Sequence, residues 1–194
     1  MLRSIRVLLF AFTVTLSACT SIPISSMYRL SRIDFMTTDL TRFRFALTIP
    51  NELQPQPGGV HMDLAYKQGD KPEEKRVVKL EEAISAPDFF GLTAAPSGTK
   101  TYVYKLPSNE VTTLNKIRND AIVAKAKNQK GSLTMGIAAK EFCANNKIPS
   151  TPLLITTYVL SSENTDYVIL TRDIDLRSDE TISASLDHLE PCSN

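Results

Sequence analysis

Between residues 42 and 106 apolar side chains return at every second position, and only after Pro107 does their spacing become helical. That order, strands, then one long helix, then more strands, restricts the possible folds strongly. A face of period two and a face of period 3.6 cannot stand in for one another. In residues 42–49, Phe43, Phe45, Leu47 and Ile49 share one face while Arg42, Arg44, Ala46 and Thr48 share the other. After the turn-rich segment 50–59, Val60, Met62, Leu64 and Tyr66 alternate with His61, Asp63, Ala65 and Lys67, and these two strands are expected to pair antiparallel. Residues 75–84 supply another strand, with Val78, Leu80 and Ile84 inward, and residues 100–106 a further one with Tyr102, Tyr104 and Leu106 on one side. An imperfect alternation over residues 27–35, with Tyr28, Leu30 and Ile33 apolar, reads as an opening strand.

From Ser108, a permitted N-cap, Val111, Leu114, Ile117, Ala121, Ile122 and Ala124 fall at helical spacings. Lys116, Arg118, Lys125 and Lys127 then point outward, and Gly131 is placed to end a helix over residues 108–129. Beyond it, residues 133–137 read as a short strand and 138–145 as a helical turn. Residues 152–160 and 166–176 read as a hairpin around the polar turn 161–165. With no regular alternation of strand and helix, the expected class is α+β. It is an antiparallel sheet of about six to eight strands with one long amphipathic helix packed on it; the alternative is a β-sandwich with one helix.

The first 18 residues stand apart. Arg3 and Arg6 precede an apolar run from Val7 to Leu16, a pattern that matches an export signal. The run is shorter than the roughly 20 residues a membrane span needs. Its end, Leu16-Ser17-Ala18-Cys19, resembles the lipobox of bacterial lipoprotein precursors. In that class the cysteine thiol receives a diacylglycerol and the freed amine is acylated too, with fatty chains such as palmitate. The resemblance implies a signal peptide over residues 1–18 and lipidation at Cys19; the small polar stretch that follows reads as a tether over 19–26, before one domain over 27–176 and a polar C-terminal tail over 177–194. Two or more acyl chains anchor stably where one holds only marginally. Thr20, rather than aspartate, follows the cysteine. By the same resemblance this implies the periplasmic face of the outer membrane. A short tether followed by Tyr28-Arg29-Leu30 also looks like the opening of some transport-auxiliary lipoproteins of Gram-negative bacteria, which accompany lipid-transport machinery. That likeness stops at Leu30 and carries over neither partners nor site residues.

Removing 18 of 194 residues leaves 176, enough for one domain with a real core. Arg3 and Arg6 leave with the leader and no acid does, so 22 basic residues become 20 against 21 acidic ones. A net charge near zero, with both signs interspersed, gives no electrostatic footprint for nucleic acid. Cys143 and Cys192 remain, an even pair in an oxidising compartment, and are expected to form a disulfide that pins the tail.

Catalytic signals are poor. His61 and His188 are the only histidines, neither accompanied by a GxSxG elbow, and no CxxC or HxxxH spacing offers a metal site. The glycines form no phosphate-cradling loop before a helix, so no cofactor is expected. Asp173 and Asp175, two apart on a strand, are the one carboxylate pair that can share a face. Interaction features are more prominent. Phe89, Phe90 and Leu92 sit in a loop flanked by proline and glycine, and Arg42 and Arg44 lie on one strand face with Asp63 as an ordinary partner. The expected function is a membrane-anchored binding or assembly protein of the envelope that engages an envelope protein through that surface. The alternative is a periplasmic hydrolase or small-ligand receptor with a site near Asp173, Asp175 and His188.

Overall fold

Three antiparallel sheets and three α-helices make up the fold in a computed structural model that describes residues 23–69 and 71–193. The expected leader over residues 1–18 and Cys19 lie outside the described residues.

Helix α1 (Ile24–Leu30) occupies the stretch where alternation predicts a strand. Its burial explains the difference. Ser26 is buried and Leu30 packs on the core four residues later, while Met27 and Tyr28 stay exposed, which is one-sided helical burial rather than alternation. Strands β1 (Arg44–Pro50), β2 (Leu53–Pro55), β3 (Val60–Gln68), β4 (Glu74–Lys79), β5 (Glu81–Glu82) and β6 (Thr99–Lys105) follow, then helix α2 (Ser108–Ala126). Strands β7 (Gly131–Ala139), β8 (Phe142–Ala144), β9 (Leu154–Leu160) and β10 (Val168–Asp175) lead into the short helix α3 (Glu180–Leu186).

The strands divide into a five-stranded sheet of order β10-β9-β1-β6-β5, a three-stranded sheet β4-β3-β7 and a small pair β2-β8, where the periodicity suggests one sheet. Strand β1 lies between β6 and β9 and does not pair with β3. The segment between β1 and β3 is not a hairpin loop that imposes a register; it holds β2 and carries the chain from one sheet to another. The same switch occurs at Leu80, whose N–H still bonds Val60 O in the smaller sheet, while Glu81 and Glu82 pair with Lys105 and Tyr104 in the larger one. Alternation resets there, so Ala83 is buried and Ile84, expected inside, is 84% exposed. Residues 138–145 form the end of β7 and β8 rather than a helical turn. The hairpin of β9 and β10 is formed as expected.

Phe45, Leu47 and Ile49 of β1, Met62 and Leu64 of β3, and Leu114 of α2 belong to one core cluster to which both larger sheets contribute. Phe43 meets Phe45 edge to face, with ring centroids 4.8 Å apart. Ala46 and Val103, on the opposite face of the five-stranded sheet, join a second cluster with Ala83 and Tyr167. Strand β1 is thus covered on both sides, which accounts for its continuous burial. Threonine pairs cross the register at Thr48–Thr101 and Thr157–Thr171, each 2.7 Å apart. Among the described residues no helix is long and apolar enough to cross a membrane.

Helix α2 packs against the three-stranded sheet. Arg76 of β4 forks onto both carboxylate oxygens of Glu110 near the helix start, and the Gln68 side chain donates to the Asp120 carbonyl further on. Ser108 is the first helical residue; the N-cap position belongs to Pro107. At the other end Asn128 takes φ 56°, with its N–H on Lys125 O and that of Gln129 on Ala124 O, the paired bonds of a Schellman ending. Asparagine, not Gly131, ends the helix, and Gly131 opens β7 instead.

The tail is built in. Asp179 caps α3 by accepting the Ile182 N–H, Leu186 is buried, and Arg177 donates to Pro149 O and Asp187. Cys143 and Cys192 Sγ lie at the bonding distance of 2.08 Å, beside the bridge of Ala144 to Pro191.

Candidate functional site: a cavity beneath the long helix

The inward stripe of α2 changes size along its length. Val111, Leu114 and Ile117 fill the space over the sheet, but the next inward positions are Ala121 and Ala124. Two missing large side chains leave a cavity of about 440 Å³, within the usual range of ligand pockets. Its walls include Phe35, Met36, Tyr66, Ile117 and Leu133, together with the two alanines. Sequence reasoning missed this site because an alanine on a helical stripe reads as core, and nothing local says that its neighbours fail to reach it.

Arg118 closes one side. Expected on the outer face, it turns inward: its guanidinium lies 5.3 Å from the Phe35 ring centroid and donates to the Thr38 carbonyl at 2.8 Å. Its Nε is buried with no hydrogen-bond partner among the described residues, an unmet donor on a side chain that lines the cavity. Thr38 is fully buried, and its hydroxyl bonds both Ser162 Oγ and Glu163 Oε2. Burial raises the Glu163 pKa, but the hydroxyls of Ser161, Thr38 and Ser162 outweigh it and hold the carboxyl below its ordinary range. This polar knot fastens the loop that carries Phe35 and Met36 to the turn between β9 and β10. On the opposite wall Tyr66 donates to Glu74 Oε2, and that carboxylate, together with burial, raises the phenol's pKa. The phenol of Tyr66 therefore holds its proton to higher pH than an ordinary tyrosine, and its ring serves as wall.

The mouth lies where β3 ends and β7 begins, with Gly131 opposite Gln68 and Ser132 opposite Lys67. It opens beside a second, shallower concavity that shares Lys67 and Lys130 and adds Lys71. Lys125 lines the first. None of these four lysines forms an ion pair among the described residues.

The residues singled out by sequence lie elsewhere. Arg44 is committed to Asp88 Oδ1 at 2.7 Å and to the carbonyls of Thr41 and Phe43, so Asp63 is not its partner and its fork is not free. Arg42 ends a 3-10 turn (Leu40–Arg42) and is exposed. Leu92 packs on the second cluster, Phe89 is 38% exposed, and Phe90 is 73% exposed. Gly91 sets this loop: its φ is 81°, and a Cβ there would meet Asp166 Cα at 2.8 Å. Arg29 of α1 donates to the carbonyl of the same Asp166, so α1 and the phenylalanine loop meet the chain at one point. Tyr167 beside it donates to Asp88 O at 2.6 Å, and burial raises its pKa.

Asp173 and Asp175 are occupied structurally. A bulge breaks the alternation of β10, Asp173 has φ 51°, and its carboxylate accepts from the Thr156 hydroxyl. Asp175 accepts the N–H groups of Leu153 and Arg177 and so caps the turn Leu176–Ser178. Neither carboxylate lines either cavity, and nor does His188. His61 stands 3.6 Å from Asp63, and no cluster of three metal-ligating side chains occurs among the described residues. No family model matches the chain, and no curated protein or solved structure is similar to it.

Proposed function

We propose that this chain is a lipid-anchored binding protein of the cell envelope, held through Cys19 on the periplasmic face of the outer membrane, which takes a ligand into the cavity beneath α2. The cavity carries the reading: apolar walls, a polar mouth and an unmet buried donor are what a preformed ligand site requires. Support for the anchor comes from the basic start, the apolar run and Leu16-Ser17-Ala18-Cys19. Catalysis has less support, because the carboxylates that sequence offered for it cap turns and a bulge. Native mass spectrometry of the full chain isolated from membranes tests both halves. The expected mass begins at Cys19 with fatty chains attached, and a non-covalent adduct accompanies it and vanishes in Ala121→Phe. An intact leader removes the anchor, and a wild-type protein free of any adduct removes the binding role.

A second reading, an assembly surface for an envelope protein, draws on Phe90, a large apolar side chain exposed in a loop that Gly91 locks in place. A pull-down from solubilised envelopes decides it: a reproducible partner lost in Phe89→Ser/Phe90→Ser favours assembly, and no partner dependent on those residues rejects it.

A further inference from the structure

We infer that the ligand is a single-chain anionic amphiphile, with its hydrocarbon chain in the cavity beneath α2 and its acidic head among Lys67, Lys71 and Lys130. The inference rests on the proposed binding role of that cavity and names the chemistry of its occupant.

The two ends of the site differ in kind. Around Phe35 lie Met36, Ile117, Ala121, Ala124 and Leu133, which offer a chain dispersion contacts and removal from water; the one cation against the Phe35 ring, Arg118, already donates to the Thr38 carbonyl and keeps a single unmet Nε–H. A polar metabolite buried there forfeits its hydrogen bonds with water and finds few in exchange. At the mouth the chemistry inverts. Lys67 and Lys130 border both concavities, Lys71 borders the outer one and Lys125 the inner one. Against these four cations stands Asp120 among the described lining residues, with Asp70 next to Lys71 in sequence. None of the four lysines forms an ion pair with a described residue, and Lys71 Nζ donates to the neutral Gln68 Oε1, so together they favour an anionic head group. Backbone geometry keeps this mouth formed: Gly69, at φ 59°, donates its N–H to Lys130 O, joining the end of β3 to the start of β7. A Cβ on Gly131 would stand 3.0 Å from Lys67 O, so the two strands approach closely at the rim. The inner cavity's volume of about 440 Å³ lies toward the lower end for ligand sites, which favours one chain over two there, and the more open concavity of about 790 Å³ beside it leaves room for the head.

Photolabelling of isolated membranes that contain the full chain tests the assignment. The probes are a long-chain carboxylate carrying a diazirine near its methyl end and the neutral methyl ester of the same molecule; adducts are located by peptide mass spectrometry. The carboxylate is expected to label peptides bearing Phe35, Met36, Ala121 or Leu133 at least fivefold more than the ester. Lys67→Glu/Lys130→Glu is expected to lower carboxylate labelling at least fivefold and leave ester labelling unchanged; these exposed substitutions are compatible with folding even if Ala121→Phe is not. Unlabelled oleate and lysophosphatidylglycerol serve as competitors, and the stronger of the two identifies a carboxylate or a phosphate as the preferred head. Equal labelling by both probes, indifferent to the lysines, overturns the anionic assignment and leaves the cavity as a ligand site. Absence of labelling at the cavity by either probe overturns both.

Discussion

Thr38 shows how much a single side chain holds in place. It is fully buried between the loop after α1, the β9–β10 turn and Arg118, and its hydroxyl helps to keep Glu163 ionised. A carboxyl whose folded pKa is depressed stabilises the fold at pH above its unfolded value, about 4.3 for glutamate, and that contribution is lost as pH falls through the lower folded value. Thr38→Val removes a hydroxyl from this knot. The unfolding midpoint in urea is therefore expected to fall at pH 7 and to differ less from wild type at a pH below the depressed folded value of Glu163, where its carboxyl is protonated in both. An equal loss at the two pH values shows that Thr38 matters through packing alone.

Helix α2 carries two opposite assignments on one stripe. Leu114 is fully buried, so Leu114→Ala is expected to cost about 2–5 kcal/mol, from the lost transfer energy and the new void together. Ala121 borders space that already exists. Ala121→Leu occupies part of it and is expected to be neutral or to stabilise by about 0.5–2 kcal/mol, as other cavity-filling changes do. Urea denaturation of the two variants checks the pair. A similar large loss in both indicates that the helix packs tightly along its whole length and that no usable space lies beneath it. Periodicity marks a helix over 108–129, where the structure has Ser108–Ala126, but it counts Ile122 inward, which is exposed, and places Arg118 outside, because spacing alone does not register the pull of the Phe35 ring and the Thr38 carbonyl.

The small β2–β8 pair and the tail close the fold as a unit. Cys192 N–H bonds Ala144 O, and the disulfide joins positions 49 residues apart. In the chain-entropy model a loop of that length stabilises the folded state by roughly 4 kcal/mol. Cys143→Ser/Cys192→Ser is expected to lose most of this and to lower the thermal midpoint by several degrees or more. Leu186 should keep α3 partly docked, since its side chain is buried independently of the bridge. Hydrogen exchange reads this directly: amides of α3 that exchange as fast as an unfolded peptide in the double variant contradict the independent docking.

Read alone, the chain specifies a helix near Ser108–Ala126, the longer strands and the inward faces of β1, β3 and β6, because alternation and helical spacing are local consequences of which side chains avoid water; it misreads α1 as a strand and the end of β7 with β8 as a helical turn. It also marks Cys143 and Cys192 as an obvious pair. What it leaves open is which strand lies beside which: β1 passes over β3 for β6 and β9, and the chain changes sheets at Leu80, since pairing is chosen by how two faces close around one core. The candidate site belongs wholly to that second level. Ala121, Lys67 and Phe35 are unremarkable in sequence, and they enclose a cavity only because α2 packs against the three-stranded sheet with side chains too short to fill the space beneath it.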